Sequence, residues 1–393
     1  MNRSQLRILV WAGVLAAVGL AMPASGALSK KAPAKAETKA PAKAAETPKP
    51  PSNNIDLGTT FIDTGPGKDA GKIAPLSPDA LDAADTSALL DRRTEAAIQR
   101  GLAFLKSTQE QGGQWESGDT NWVGYTAFAT IAFMLNGHCP NKKPPYGETV
   151  TKAVDALLKE TQGQVSGYMG TNMYSHGLAT LALSEAWGQT DKDEKVQDAL
   201  KLAVKVILSA QNEAGGWRYN PQPGDADVSV TAMQVIALAA ARQAGIFVPD
   251  ETITRAVRYV NMCHRSDSGG FSYQAGLGVA GFARTAAATF SLMMLGRHEF
   301  KEVKDGVRYL QKEAPTAMKN TAHYTYGQYY AALVMYQAGS QDFKNWYPQI
   351  RDSLLAKQTA TGSFAKAGRS TYDTALSLII LSIPYGYVPA YQR

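Results

Sequence analysis

Residues 196–245 read VQDALKLAVKVILSAQNEAGGWRYNPQPGDADVSVTAMQVIALAAARQAG. The first third, from Val196 to Gln211, repeats apolar residues at i, i+3, i+4 and i+7 with charge between them, which predicts a helix with one wet face. The last third, from Val228, is apolar nearly all round and ends at Gly245. That pattern predicts a buried helix closed by a glycine cap. Between them lies a glycine-aromatic turn, QNEAGGW (211–217), and a polar stretch that ends in DVSVTA (227–232).

The same unit recurs six times from about residue 92. Wet helices comparable to the first include EAAIQRGLAFLKSTQ (95–109), TVTKAVDALLKET (149–161), ETITRAVRYVNMCH (251–264), EVKDGVRYLQKE (302–313) and WYPQIRDSLLAKQ (346–358). Their dry partners include YTAFATIAFML (125–135), YSHGLATLALSEAW (174–187), RTAAATFSLMML (284–295), YGQYYAALVMYQAG (326–339) and YDTALSLIILSI (372–383). Six pairs, each of one wet and one dry helix, predict an all-α (α/α)6 toroid with inner and outer helix rings over 91–393. An open solenoid of helical pairs is the alternative. The turns carry a second signal. QEQGGQW (109–115), QNEAGGW and QTATGSF (358–364) share Q-x-x-x-G-x-[W/F], and RSDSGGF (265–271) departs only in its arginine. The glycine permits a tight turn, the aromatic packs beside the helix end, and the glutamine amide meets unpaired backbone groups there.

Charge places the ends of the chain in different classes. The net charge of +6 belongs to residues 1–50, and the remainder is neutral overall. The repeat region therefore shows no basic excess of the kind nucleic-acid binding requires. Residues 1–26 combine Arg3 and Arg7, the apolar run ILVWAGVLAAVGLAM and ASG before Ala27, the layout of a signal peptide. Export to the periplasm or the medium is expected, with membrane attachment only through this segment if it stays uncleaved. Residues 27–90, rich in Ala, Lys and Pro up to about residue 50, are expected to form a linker. Cys139 and Cys263 form no CxxC pair, so neither a zinc ribbon nor a disulfide framework is expected. No metal or cofactor is predicted, and oligomeric state is not legible.

Aligning the six dry helices with one another gives one column of Thr126, His176, Thr231, Thr285, Tyr326 and Thr374, each followed by Ala or Gly. Threonine near a helix start bonds to backbone, which is architecture. The departures and the residues just before them are the candidates for chemistry. At the mouth of a central cavity we expect Trp122, Tyr125, Tyr174, Ser229, Arg284, Tyr324, Tyr326, Tyr372 and Asp373 as ligand-binding residues, with His323 nearby. Asp227, Asp225 and His176 are the candidate catalytic groups. An aromatic hollow with a few polar groups is the usual form of a ligand site. Arg284 and Asp373 have a second reading as an ion pair across the ring.

On the Q-x-x-x-G-x-[W/F] turns and the DVSVTA stretch, the chain resembles the terpenoid cyclase and protein prenyltransferase superfamily, and more narrowly exported bacterial proteins with prenyltransferase/squalene-oxidase repeats. The resemblance covers about residues 92–393. It implies a cavity for an isoprenoid-like ligand. The cyclase motif in this place is similar to D-x-D-D-T-A, whose middle aspartate protonates an alkene. Here that position is Ser229, followed by Val230, and a hydroxyl is far too weak an acid for the task. Asp225 and Asp227 remain, and their place at a helix N-terminus is expected to keep them ionised. The Asp, Cys and His that hold zinc in prenyltransferases have no counterpart, nor does a DDxxD magnesium site. Three functions follow as expectations: an exported cyclase- or prenyltransferase-like enzyme acting on an apolar ligand, a non-catalytic envelope protein that binds a lipid or a protein partner, and a polysaccharide lyase or hydrolase on the same fold.

Overall fold

The computed structural model describes residues 89–385 apart from 141–143, 164–166, 318–322 and 366–369. The expected signal segment and almost all of the expected linker lie outside the described residues. Among the described residues, twelve α-helices alternate between two roles. The amphipathic set is α1 (Arg92–Thr108), α3 (Gly147–Gly163), α5 (Asp193–Ser209), α7 (Asp250–Met262), α9 (Lys301–Ala317) and α11 (Ser340–Leu355). The apolar set is α2 (Trp122–Leu135), α4 (Met173–Ala186), α6 (Val228–Gln243), α8 (Phe282–Met294), α10 (Tyr324–Ala338) and α12 (Ser370–Ser382), the last followed by a 3₁₀ turn at Ile383–Tyr385. Among the described residues, β pairing is confined to three isolated bridges.

The apolar helices form the inner ring because only there is every face covered. All of α4 is buried, as is all of α2 beyond Trp122. Each inner helix packs on the next, from α2 through to α12, and α12 returns to α2, so the ring closes. Each outer helix lies against two inner neighbours, and α1 sits between α12 and α2. No helix among the described residues is long and apolar enough to cross a membrane.

The glycine-aromatic turns join one outer helix to the next. The Gln109, Gln211 and Gln358 amides donate to the carbonyls of Gly113, Gly215 and Gly362 in their own turns, at 2.8, 2.9 and 3.1 Å. The same nitrogens reach Thr149 of α3, Thr252 of α7 and Ala97 of α1, at 2.9, 3.0 and 2.8 Å. The third of these links joins the sixth repeat to the first, which seals the ring. The three glycines share φ +93°, and a Cβ there would overlap the carbonyls of Lys152, Arg255 and Arg100 respectively. Close approach to the neighbouring helix, as well as the turn, therefore demands glycine. The indole N–H groups of Trp115 and Trp217 donate to Leu105 and Ile207 carbonyls, each at 2.7 Å.

A second joint ties each turn to the inner helix that follows. Thr126, Thr231, Thr285 and Thr374 accept the backbone N–H of Trp115, Trp217, Phe271 and Phe364 at 3.2, 3.0, 2.9 and 3.1 Å. The threonine column is thus one architectural contact made four times. In the fourth turn, where Arg265 replaces glutamine, His264 pairs with Asp305 of the next outer helix at 3.2 Å.

Candidate functional site

The polar turns and the starts of the inner helices share one end of the ring. Asp227 is the most unusual group there. It is the N-cap of α6, and its Oδ1 accepts the N–H of Ser229 and of Val230, both at 2.9 Å. Oδ2 is equally buried, and the carboxyl also meets the Tyr273 hydroxyl. The nearest cation is Arg218, with Nε 3.7 Å from Oδ2, while Nη1 of the same guanidinium lies 3.3 Å from Oδ2 of the exposed Asp225. Gln274 also donates to Asp225, at 2.9 Å. Arg218 lies over the ring of Tyr273, whose hydroxyl turns toward that of Tyr219 at 3.4 Å.

The helix N-terminus does not settle the charge of Asp227 as expected. Burial raises its pKa from 3.8 to about 6, against the opposing pull of the Val230 and Ser229 amides and Arg218. Desolvation outweighs the amides because the carboxyl is fully enclosed. Asp227 therefore carries a titratable proton close to neutrality, a property suited to acid–base work.

Behind Asp227 the axis of the ring is occupied by aromatic side chains of the inner helices. Tyr125 and Tyr372 meet edge-on at 6.1 Å, and Phe128 meets both Tyr372 and Tyr329. Tyr326, Tyr329 and Tyr330 of α10 pack on one another at 5.1 and 5.7 Å. The hydroxyls of Tyr174, Tyr326, Tyr329 and Tyr330 are buried; Tyr174 pairs with Tyr330 and Tyr326, and Tyr329 has no hydrogen-bond partner. Those of Tyr326 and Tyr330 lie close to Tyr174, and that of Ser229 close to Tyr326. Burial raises all four phenol pKa values, so they stay neutral donors.

The structure divides the expected residues. Asp227, Ser229, Tyr125, Tyr174, Tyr326 and Tyr372 gather around the axis, and Asp225 flanks them through Arg218. Trp122 is half-buried at the start of α2. Five residues are placed differently from the expectation. Tyr324 faces the outer ring: its hydroxyl meets Ser353 of α11 at 2.6 Å and its ring lies under Lys357. Arg284 folds back on its own loop and donates to the Val279 carbonyl at 2.9 Å, while Asp373 lies near Lys357. His323 is exposed, with φ 61°, at the N-cap of α10. His176 occupies the threonine joint. Its Nδ1 accepts the Met169 N–H at 3.0 Å and its Nε2 meets the Ala203 carbonyl at 3.0 Å. That pairing fixes the tautomer with the proton on Nε2, burial lowers the pKa to about 4, and both ring nitrogens are committed to backbone.

The sequence comparison missed Arg218, Tyr219 and Tyr273, which sit in the turns and not on the helices that were aligned. A signal was present: a tyrosine stands two residues after the turn aromatic in both GWRYN (216–220) and GFSYQ (270–274). Cys139 and Cys263 are both buried and form no disulfide with each other. No group of three or more His, Cys, Asp or Glu among the described residues is arranged to hold a metal ion.

With this geometry in hand the chain can be set beside known proteins. No family model and no curated protein matches its sequence. Solved structures match its shape. The α-1,6-mannanase GH76A of Salegentibacter sp. HEL1_6 gives a TM-score of 0.54 at 10% identity, covering 75% of this chain and 99% of that one. The type II terpene cyclase MstE from Scytonema gives 0.51 at 14% identity, covering 75% and 98%. The chain is an (α/α)6 toroid. At such low identity these likenesses establish the fold alone, and they span a glycan-cleaving enzyme and an isoprenoid-cyclising one.

Proposed function

We propose that this protein is an exported toroid that binds an isoprenoid- or lipid-like molecule along its tyrosine-lined axis and does not cyclise it by alkene protonation. One observation carries the reading: four buried tyrosines, on α4 and α10, cluster at the axis, and the hydroxyl of one of them, Tyr329, has no hydrogen-bond partner. An unpaired buried polar group costs about 1–3 kcal/mol. The neighbouring hydroxyls find partners in one another and in Ser229. Their clustering on one surface suits a ligand that brings polar atoms to an otherwise aromatic wall. MstE in complex with merosterolic acid A shows that a toroid of this shape can hold such a product.

Ser229 in the acid position argues against protonation-initiated cyclisation, while Asp227, with its proton available near neutrality, leaves acid–base chemistry of another kind as the enzymatic form of this reading. Glycoside hydrolysis fits less well. It needs two carboxyls facing each other across a sugar, whereas one oxygen of Asp227 is held by helix amides and Asp225 is held by Arg218 and Gln274. The test is organic extraction of the purified protein followed by mass spectrometry. The expected result is a co-purifying isoprenoid or lipid that is depleted in a Tyr174→Phe/Tyr329→Phe variant. Recovery of an oligosaccharide, or of nothing under conditions where added isoprenoids also fail to bind, overturns the proposal.

A further inference from the structure

The outer wall of the ring carries an open groove of about 790 Å³ between α1 and α11, at the seam where the sixth repeat meets the first. Ala96 of α1 and Leu355 and Ala356 of α11 line it with short or apolar side chains. Arg92, Arg93 and Arg100 bring three guanidinium groups from α1, and Asp352 brings one carboxylate from α11. Arg92, Ala96 and Arg100 are four residues apart in turn, so they form one stripe along the helix. The positive charge of that stripe is unanswered. Arg93 lies 3.3 Å from Asp91 and 3.8 Å from Asp352, but Arg100 meets only the neutral amide oxygen of Gln358, at 2.5 Å. Arg92 has no partner among the described residues.

The chain that enters beside this groove has the opposite charge. The Leu89 carbonyl accepts Nη1 of Arg351, on α11, at 3.0 Å, which fixes the point of arrival next to Asp352. Residues 77–88 lie outside the described residues and read SPDALDAADTSA. They hold Asp79, Asp82 and Asp85, and no Lys or Arg occurs between Lys72 and Arg92. Leu81, Ala84 and Ala88 recur at i, i+3 and i+7, with Ser77 and Pro78 ahead of them. That is the spacing, and the start signal, of a helix with one apolar stripe. The lengths agree as well. From Arg92 to Arg100 helix α1 rises about 12 Å, and a helix from Asp79 to Ala88 would rise about 14 Å. Leu89, Leu90 and the N-cap Asp91 make a joint of the short length that reverses one helix onto another.

We propose that residues 77–88 fold back along the α1–α11 groove as a clasp over the repeat seam, with Asp79 facing Arg100 and with Asp82 and Asp85 facing Arg92 and Arg93. Exposed ion pairs are weak singly, but this segment is tethered at the head of its groove, so its effective concentration there is high. An acidic partner in solution competes at a disadvantage. The clasp would add to the Gln358 link and the packing of α12 on α2, both of which close the same seam.

Hydrogen exchange of the full chain at 0.15 M salt tests this. The amides of residues 79–88 are expected to exchange at least about tenfold more slowly than in a free peptide of the same sequence, at any protein concentration. Asp82→Lys/Asp85→Lys, whose substitutions lie outside the described ring, is expected to abolish the protection. Adding Arg92→Glu, at a side chain with no partner to lose, is expected to restore it by about threefold or more, through the swapped ion pair. Exchange at the free-peptide rate in the unaltered chain overturns the proposal, as does protection that persists in Asp82→Lys/Asp85→Lys or that Arg92→Glu fails to restore. Protection that disappears on dilution assigns the groove to a second copy and also overturns it.

Discussion

Replacing Asp227 by asparagine should make the protein more stable at neutral pH, by an amount that can be worked from the structure. Folding raises this carboxyl from 3.8 to about 6. Each unit is worth 1.36 kcal/mol, so the shift corresponds to about 3 kcal/mol. The sign follows from proton linkage. Between 3.8 and 6 the folded protein holds a proton that the unfolded chain has released, so stability falls as pH rises through this window and levels off above it. Asparagine keeps an oxygen for the Ser229 and Val230 amides and ranks with aspartate as an N-cap. The substitution therefore removes the buried charge without removing the cap. Chemical denaturation of both proteins from pH 4 to 8 isolates the effect, since every other titrating group is common to both. The stability difference in favour of Asp227→Asn should be about 1 kcal/mol at pH 4.5 and reach about 3 kcal/mol by pH 7. A difference that does not change with pH would show that the carboxyl is well solvated in the folded state, and the acid–base reading of the site would fall with it.

Other perturbations test the scaffold and the axis. His176→Thr should preserve the fold, because threonine makes the equivalent contact in four other repeats; it should also remove an acid-limb instability of about 3 kcal/mol, since a buried histidine lowered from 6.5 to about 4 loses stability as pH falls through that range. Denaturation midpoints at pH 4.5 and 7.5 measure both effects. Gly362→Ala drives a Cβ into the Arg100 carbonyl at the ring seam and should destabilise the protein by about 3 kcal/mol or more, measurable by the same titration. Gln211→Ala leaves the carbonyls of Gly215 and Thr252 without this donor and should lower stability by about 2 kcal/mol. Tyr329→Phe deletes a hydroxyl with no partner and should leave the ligand-free protein equally or more stable by about 1 kcal/mol in thermal melts; a clear loss would mean the hydroxyl is satisfied within the fold.

The fold was legible because its information is local and repeated. Helix period, the contrast of wet and dry partners, and Q-x-x-x-G-x-[W/F] can each be read within 50 residues, and six copies check one another. The site was legible only where it lies on the aligned helices. Asp227, Tyr174 and Tyr326 could be found that way, but Arg218 and Tyr273 stand in turns of unequal length, where column alignment fails. Direction was harder still. Tyr324 and Tyr326 are two residues apart on one helix, so they point about 200° apart; one reaches the axis and the other reaches Ser353. The charge of Asp227 was misjudged for a different reason. Sequence position reveals the helix amides that favour ionisation, but not the enclosure that opposes it.

The repeat also shows how a departure from an internal rule should be read. His176 and Tyr326 both replace the threonine of the turn–helix joint, and by sequence they are equivalent exceptions. In the structure His176 still makes the joint: its Nδ1 takes the N–H that threonine would take, and its larger ring reaches one contact further, to Ala203. Tyr326 lies against Tyr330, and its hydroxyl meets Ser229 and Tyr174 instead of turn backbone. The two exceptions differ in what their polar atoms meet. A substituted residue that bonds to the turn backbone has been absorbed by the architecture, while one that turns its polar atom to other side chains at the axis has left the joint. By that criterion Asp227 belongs with Tyr326. One of its oxygens repeats the capping role of any N-cap, and the other side of the carboxyl is turned to Arg218 and Tyr273.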